Sequence, residues 1–326
     1  MFTANAANPL VLAINFNVVG KMDGDKSQKE WATFNDGFTN VEITTEQFID
    51  NIRAGHSFCA QHVHTRRPLP KPDGTIRLSR FRNELNWGAT SVVAGDWDDG
   101  APPPEQMEDD PFVRNYACAG YTTVSHTPEN PHYRIVWNMN KPIMHLANYK
   151  ALLDALAWQY QLDPCSKDAV KAYAGNNTAS FVRMNLNDNR LPLGVARDLI
   201  TRHESAVAEE RKGYERVRDA SNDTEWGADD IAEMLSFMPK HQSYDDWFKT
   251  LVSVHSVFPD ETGISLCESW APGTSGEIET KWRSIHKHDV TIAWLIVVSQ
   301  KHGYMPPWVR SRITTSFIAG ALRHRQ

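Results

Sequence analysis

The fold turns on "SVVAGDWDDGAPPPE", residues 91–105. Val92, Val93 and Ala94 lead into Asp96-Trp97-Asp98-Asp99, and Gly100 with three prolines ends the run. A short apolar run closed by such turn signals reads as a buried strand. Side chains alternate along a strand, so Asp96 and Asp98 share one face and Trp97 takes the other. Two neighbouring carboxylates repel each other unless a cation or protons intervene. A strand end facing a cleft suits one or two Mg²⁺ or Mn²⁺ ions, which prefer hard oxygen ligands. D-D-G followed by prolines is also good turn chemistry, so the motif by itself leaves a metal site and an acidic turn both open.

Upstream, "LVLAINF" is a strand candidate, and "TTEQFIDNIRAGHSF" reads as a helix capped by Thr44 or Thr45 and stopped at Gly55. Downstream, "PEQMEDDPFVRNYA" is a short acidic helix, "AGYTTVSHT" a strand, "HYRIVWNM" a second strand across the turn "PENP", and "NYKALLDALAWQYQ" an amphipathic helix. A last strand is expected after "LDPCSKDAVKAYAGNNTASFVRMN". Strands alternate with helices but also form hairpins, which favours α+β, with a mixed or antiparallel sheet, over a purely parallel one.

The texture changes near residue 202. "TRHESAVAEERKGYERVRDASNDTE" is charged and poor in large apolar residues, so 202–225 reads as a linker or a solvated helix. From 226 to 326 the pattern is helical, with Ser243 as an N-cap and Gly303 as a stop. The expected organisation is one domain over 1–201, the charged linker, and a small all-α domain over 226–326.

The bulk numbers bound the rest. A chain of 326 residues with 41% hydrophobic and 23% charged residues has the composition of a soluble globular protein. A net charge of −6 means that any nucleic-acid affinity must come from local patches. The four cysteines lie at no C-x-x-C spacing, which argues against a zinc ribbon or redox pair. "MFTANAANPL" lacks a basic n-region, and the longest apolar run, near Ile292–Val298, is too short to span a bilayer, so a cytoplasmic protein with no membrane partner is expected.

Further candidates lie around the D-x-D. Asp163 and Asp168, in "LDPCSKD", compete as a third carboxylate. His126 ends a strand beside Ser125, and Arg134 opens the next across a short turn. Such a His–Arg pair facing one cleft suits a triphosphate, with Arg binding bidentately. Residues 61–82 hold Arg66, Arg67, Lys71, Arg77, Arg80 and Arg82 against Asp73 alone, and lead directly into the D-x-D strand. A solvated loop explains them equally well.

Taken in order, these features resemble the catalytic domain of the archaeo-eukaryotic primase superfamily, most closely the primase-polymerases of phages and plasmids. There an apolar strand ends in D-x-D, here "VVAGDWD". A small-x-His strand precedes a P-x-x-R hairpin, here "TTVSHTPENPHYRIVW", and an apolar residue precedes Asp in D-P-x-x-K-D, here "LDPCSKD". The resemblance covers roughly residues 40–185. The segment "SYDDWFKTLVSVHSV…SWAPG…KWRSI…TIAWLIVVSQKHGY" resembles the helical domain that follows such cores, with Trp247, Trp270, Trp282 and Trp294 expected to fill its bundle core.

The resemblance implies a primase-polymerase core with an RRM-like sheet and a flanking α/β unit. Asp96, Asp98 and Asp163 would hold two Mg²⁺ or Mn²⁺ ions, and His126, Ser125, Arg134 and Lys167 would bind the nucleotide. Arg66, Arg77, Arg80 and Arg82 would guide template or phosphates. The implied partners are nucleoside triphosphates, a single-stranded DNA template and, as relatives are often followed by an ATP-driven helicase while no G-x-x-x-x-G-K-[ST] occurs here, a separate replicative helicase. The implied setting is phage or plasmid replication in a bacterial or archaeal host cell. Two departures stand out. Val124 occupies the small position before His126, and Lys171 stands where relatives often carry Arg. The rival readings are a primase-fold replication initiator that binds single strands without catalysis, and a D-x-D glycosyltransferase using a metal-bound sugar nucleotide.

Overall fold

The computed structural model describes residues 9–310 apart from 23, 64–67, 71, 72, 79–81, 99, 180, 181, 185–188, 240–242, 272–274 and 287–289. It divides into two compact units, 1–205 and 206–326, each with its own apolar core. The architecture is α+β, with small antiparallel sheets in the first unit and helices in the second.

The first unit opens with β1 (Leu10–Val19), α1 (Gln28–Asp36), β2 (Phe38–Ile43), α2 (Thr45–Arg53) and β3 (His56–Cys59). Helix α2 starts at Thr44, whose hydroxyl accepts from Gln47 N–H while the Gln47 side chain reaches back to Thr44 N–H. It ends before Gly55, which adopts φ +85°, a conformation that glycine tolerates without Cβ strain. The chain turns there into β3, with the helix stopping at Gly55 as its sequence expects. Strands β2-β1-β3 form an antiparallel sheet. Helix α1, not expected from periodicity, begins with the capping box of Ser27 and Glu30.

A hairpin of β4 (Pro68–Pro70) and β5 (Ile76–Leu78) follows. Then comes the D-x-D strand, β6 (Thr90–Trp97). The acidic segment is two helices, α3 (Pro104–Glu108) and α4 (Pro111–Tyr116), because Pro111 cannot continue a helix and instead begins one. Next are β7 (Ala117–Thr122), β8 (Tyr133–Ile143), α5 (Leu146–Tyr160) and β9 (Val182–Met184). The second sheet has the order β6-β8-β7-β9, all antiparallel.

Strand β6 is buried along its whole length because both faces of its sheet are covered. On one face Val93, Trp97, Tyr133, Ile135 and Trp137 pack with Leu152, Leu153 and Leu156 of α5. On the other, Val92, Ala94, Tyr121 and Val136 pack with Leu10, Leu12, Ile14, Phe48 and Ile52 from the first sheet and α2. The sheets are tied by Val11 N–H donating to Ser91 Oγ at 2.7 Å.

Residues 202–222 are helical, within α6 (Leu193–Asn222). Ala, Glu and Arg have good helix propensity, and pairs such as Arg211–Glu215 add i,i+4 support on the exposed face. Beyond it lie α7 (Ala228–Ser236), α8 (Tyr244–His255), α9 (Glu261–Trp270), α10 (Ser275–Trp282) and α11 (Ile292–Lys301). Ser243 caps α8 by accepting from Asp246 N–H. Trp282 is buried in this bundle's core, with Trp247, Trp270 and Trp294 partly buried against it. Among the described residues no helix is long and apolar enough to cross a membrane.

Candidate active site

The cross-strand register builds the site. Asp96 on β6 lies opposite Arg134 on β8, and Arg134 opposite Tyr121 on β7. These three side chains share one face, while Trp97 stacks on Tyr133 on the other at 5.4 Å between centroids. Arg134 Nε donates to Asp96 Oδ1 at 2.5 Å, and its Nη1 donates to Tyr121 Oη at 2.7 Å and to the Ala174 carbonyl at 2.6 Å. Its guanidinium also lies over the Tyr173 ring, 4.8 Å from the centroid. Lys171 Nζ donates to Asp96 Oδ2 and to Cys165 Sγ. The backbone around Asp96 is fixed as well: its N–H donates to Ser166 Oγ at 3.0 Å and its carbonyl accepts from Asp163 N–H at 3.2 Å.

Burial would raise the Asp96 carboxyl, but the charges and hydrogen bonds of Arg134 and Lys171 outweigh it and hold it below the ordinary range. Burial alone would lower Lys171, and Asp96 reverses that. The Tyr121 hydroxyl is pushed up to about 12, chiefly by burial.

Asp98 follows the end of β6 and is 42% exposed, with His132 Nδ1 3.0 Å from its Oδ1. This contact places a neutral His132's proton on Nδ1. His132 N–H in turn donates to His126 Nδ1 at 3.2 Å. Asp96, Asp98, Arg134 and Lys171 line a cleft of about 400 Å³, closed on other sides by Lys21, Arg82, Ser125 and Asp168. Arg82 is anchored there by two donations to Asn35 Oδ1, at 3.0 and 2.6 Å, and one to the Val170 carbonyl. Gly175 forms part of the wall. A Cβ there would meet the carbonyl oxygens of His56 and Ile52 at 2.6 and 2.7 Å, so only glycine fits.

The cleft brings together Asp96, Asp98, Ser125, Arg134 and Arg82 of the expected residues. Others lie elsewhere. Asp163 caps the 3-10 turn Pro164–Lys167, its Oδ1 accepting from Cys165 N–H at 2.8 Å, and the carboxylate in the cleft is Asp168. Lys167 is 53% exposed and faces Asp154 at 3.8 Å. His126 is outside the lining, although Thr123, Val124 and Ser125 belong to it. Arg134 is turned onto Asp96 and buried rather than open to solution. Arg66 and Arg80 lie outside the described residues, as do Arg67, Lys71 and Asp99, and for Arg77 only the backbone, in β5, is described. Lys21 and His132 are the lining and supporting residues that sequence reasoning missed. His132 carried a signal, two residues before Arg134 at the strand entry, but Lys21 carried none.

Two divalent ions would need several open carboxylate oxygens in the cleft. Asp98 and Asp168 offer hard oxygens, but both Asp96 oxygens already face cations. Among the described residues no three His, Cys, Asp or Glu side chains converge to hold a metal ion. The arrangement as it stands therefore does not fit the two-ion site that Asp96, Asp98 and Asp163 would make. The lining instead carries four cationic side chains, Lys21, Arg82, Arg134 and Lys171, against three carboxylates, a balance that favours an anion.

Among solved structures, the chain is similar to the AEP domain of the cyanophage S-2L primase-polymerase, at 9% identity over 60% of this chain and 89% of that one, with a TM-score of 0.33. It is also similar to a crystal structure of primase RepB', at 12% identity over 92% of this chain and 96% of that one, with a TM-score of 0.30. A search of curated proteins finds no match. Residues 231–298 match the family described as Primase C terminal 2 (PriCT-2). That match covers α8 to α10 and most of α7 and α11. Within the helical unit, residues 231–298 are therefore similar to the Primase C terminal 2 (PriCT-2) family.

Proposed function

We propose that the protein is a primase-polymerase, transferring nucleotides from nucleoside triphosphates onto a hydroxyl under the direction of a single-stranded DNA template, in phage or plasmid replication. The observation that carries this reading is the cleft, where the two D-x-D carboxylates meet four cationic side chains. The likeness of residues 231–298 to a primase C-terminal domain supports it. A D-x-D glycosyltransferase accounts for the carboxylates but gives no reason for that likeness.

In this reading Lys21, Arg82 and Lys171 bind the triphosphate, and Ser125 offers a hydroxyl donor beside them. The attacking hydroxyl displaces pyrophosphate from the α-phosphate and must lose a proton. Asp98 is the more open carboxylate, and His132 behind it fixes its orientation. Asp96 and Arg134 form the buried base of the site. The cations neutralise charge that develops on the leaving phosphates.

A second reading, a primase-fold initiator that binds single strands without catalysis, is favoured by one observation: both Asp96 oxygens are neutralised from within. Incorporation of labelled nucleotides on a single-stranded template, with Mg²⁺ or Mn²⁺ and with or without a primer, separates the two. The expected result is template-dependent product that falls by at least ~100-fold in Asp98→Asn. Strand binding without any product would establish the initiator instead.

A further inference from the structure

One carboxylate, Asp96, holds two cations, Arg134 and Lys171, so the three side chains together keep one positive charge in excess. A further partner serves both cations without cancelling that charge. The Arg134 guanidinium lies 4.8 Å and the Lys171 ammonium 5.3 Å from the centroid of the Tyr173 ring, within cation–π range. Tyr173 is itself rigidly placed. It is buried, its hydroxyl donates to the Ala94 carbonyl of β6 at 2.9 Å, and its ring stacks on Phe58 of β3 at 5.4 Å between centroids. Its backbone exchanges two hydrogen bonds with Phe58, at 2.8 and 2.9 Å. Burial pushes the hydroxyl well above its ordinary range, which keeps it a donor.

We propose that Tyr173 is a positioning residue, which seats the Lys171 ammonium as a phosphate subsite and lets the cleft bind a polyphosphate through its own side chains. The inference rests on the reading of the cleft as a triphosphate site. A second carboxylate in place of the ring would balance both cations and remove the attraction for an anion. An aromatic face draws a cation through its quadrupole and stays neutral, so the excess charge remains for a ligand. That charge faces the cleft at Lys171, which lines it and keeps 16% exposure against 8% for Arg134. Arg134 is committed to Asp96, Tyr121 and Ala174, whereas Lys171 has a flexible stem and only Asp96 and Cys165 as hydrogen-bond acceptors. Loss of the ring should therefore be felt at the lysine.

The test is calorimetric titration of the full chain with inorganic tripolyphosphate, at low salt and with EDTA present. Wild type should bind, and Lys171→Met should weaken binding at least ~10-fold. Tyr173→Phe keeps the ring and should stay within ~2-fold of wild type, whereas Tyr173→Leu should lose at least ~5-fold. Tyr173→Met serves the same purpose if Tyr173→Leu folds poorly. Added to Lys171→Met, the loss of the ring should cost less than ~2-fold more, because it acts through the lysine. A merely structural tyrosine would weaken binding equally with and without Lys171, and that result overturns the proposal. So do an absence of binding in EDTA, an unchanged affinity in Lys171→Met, and a ring-free variant that matches wild type. If wild type incorporates nucleotides while any of these is seen, the subsite fails and nucleotidyl transfer stands. If the expected pattern appears in a chain that incorporates nothing with Mg²⁺ or Mn²⁺, nucleotidyl transfer fails and the subsite stands.

Discussion

At the scale of residues, the two acids of "LDPCSKD" have separate tasks. Asp163 caps a turn through its side chain, whereas Asp168 lines the cleft. Asp163→Asn keeps a capping oxygen and should change nucleotide incorporation less than about 2-fold. Asp163→Ala should cost about 1 kcal/mol of stability, seen as a lower urea midpoint. Asp168→Asn should leave that midpoint in place and reduce incorporation by at least ~10-fold. Primer extension and urea titration of the three variants check the set. Sequence order alone placed these residues five apart with equal claims. What separates them is the direction of each side chain around a 3-10 turn, which no periodicity encodes. The pairing of Asp96 with Arg134 was hidden for a similar reason: the residues lie 38 apart, and only the β6–β8 register makes them neighbours.

At the scale of elements, β6 was legible because a strand covered on both faces must be apolar, and α2 because Thr44 and Gln47 write a capping box into the chain. Helix α1 carries the same signal in Ser27 and Glu30, but its apolar face is short, with Phe34 its one buried large apolar side chain. The segment after β3 gives an acid-sensitive joint between elements. His62 bridges to Trp87 in the approach to β6, and its backbone is clasped by the Asn40 side chain of β2, which accepts from His62 N–H and donates to its carbonyl. Burial holds the imidazole down to about 4. An unfolded chain takes up that proton near pH 6.5 and the folded one does not until about 4. Stability is therefore complete above pH 6.5 and falls as the pH drops toward 4, by on the order of 3 kcal/mol from this group. Urea midpoints between pH 7 and 4 should show the decline, and His62→Gln should flatten it.

At the scale of the whole molecule, separate apolar cores in the two units predict separate unfolding. In the helical unit Trp282 is buried, its indole N–H donates to the Pro259 carbonyl at 3.2 Å, and its ring fills the space where a Cβ on Gly263 would sit. Trp282→Ala should remove about 3–5 kcal/mol from that unit. Calorimetry should then show two transitions in wild type, of which only one moves in the variant. A single transition that shifts as a whole would mean that the units unfold together. The net charge of −6 and the cationic cleft act at different ranges. The chain as a whole repels polyanions, and attraction is confined to the site, where added salt weakens it.

The distribution of thiols has a practical consequence. Cys59, Cys118 and Cys267 are buried, while Cys165 is exposed and lies on the wall of the cleft. The folded protein thus offers one chemically addressable sulfur beside the D-x-D, without engineering. Burial, and after it the hydrogen bond with Asp163, push this thiol up from its ordinary value, so a maleimide dye attaches to it slowly at neutral pH and faster in mild alkali. A fluorophore placed there turns occupancy of the cleft into an optical signal.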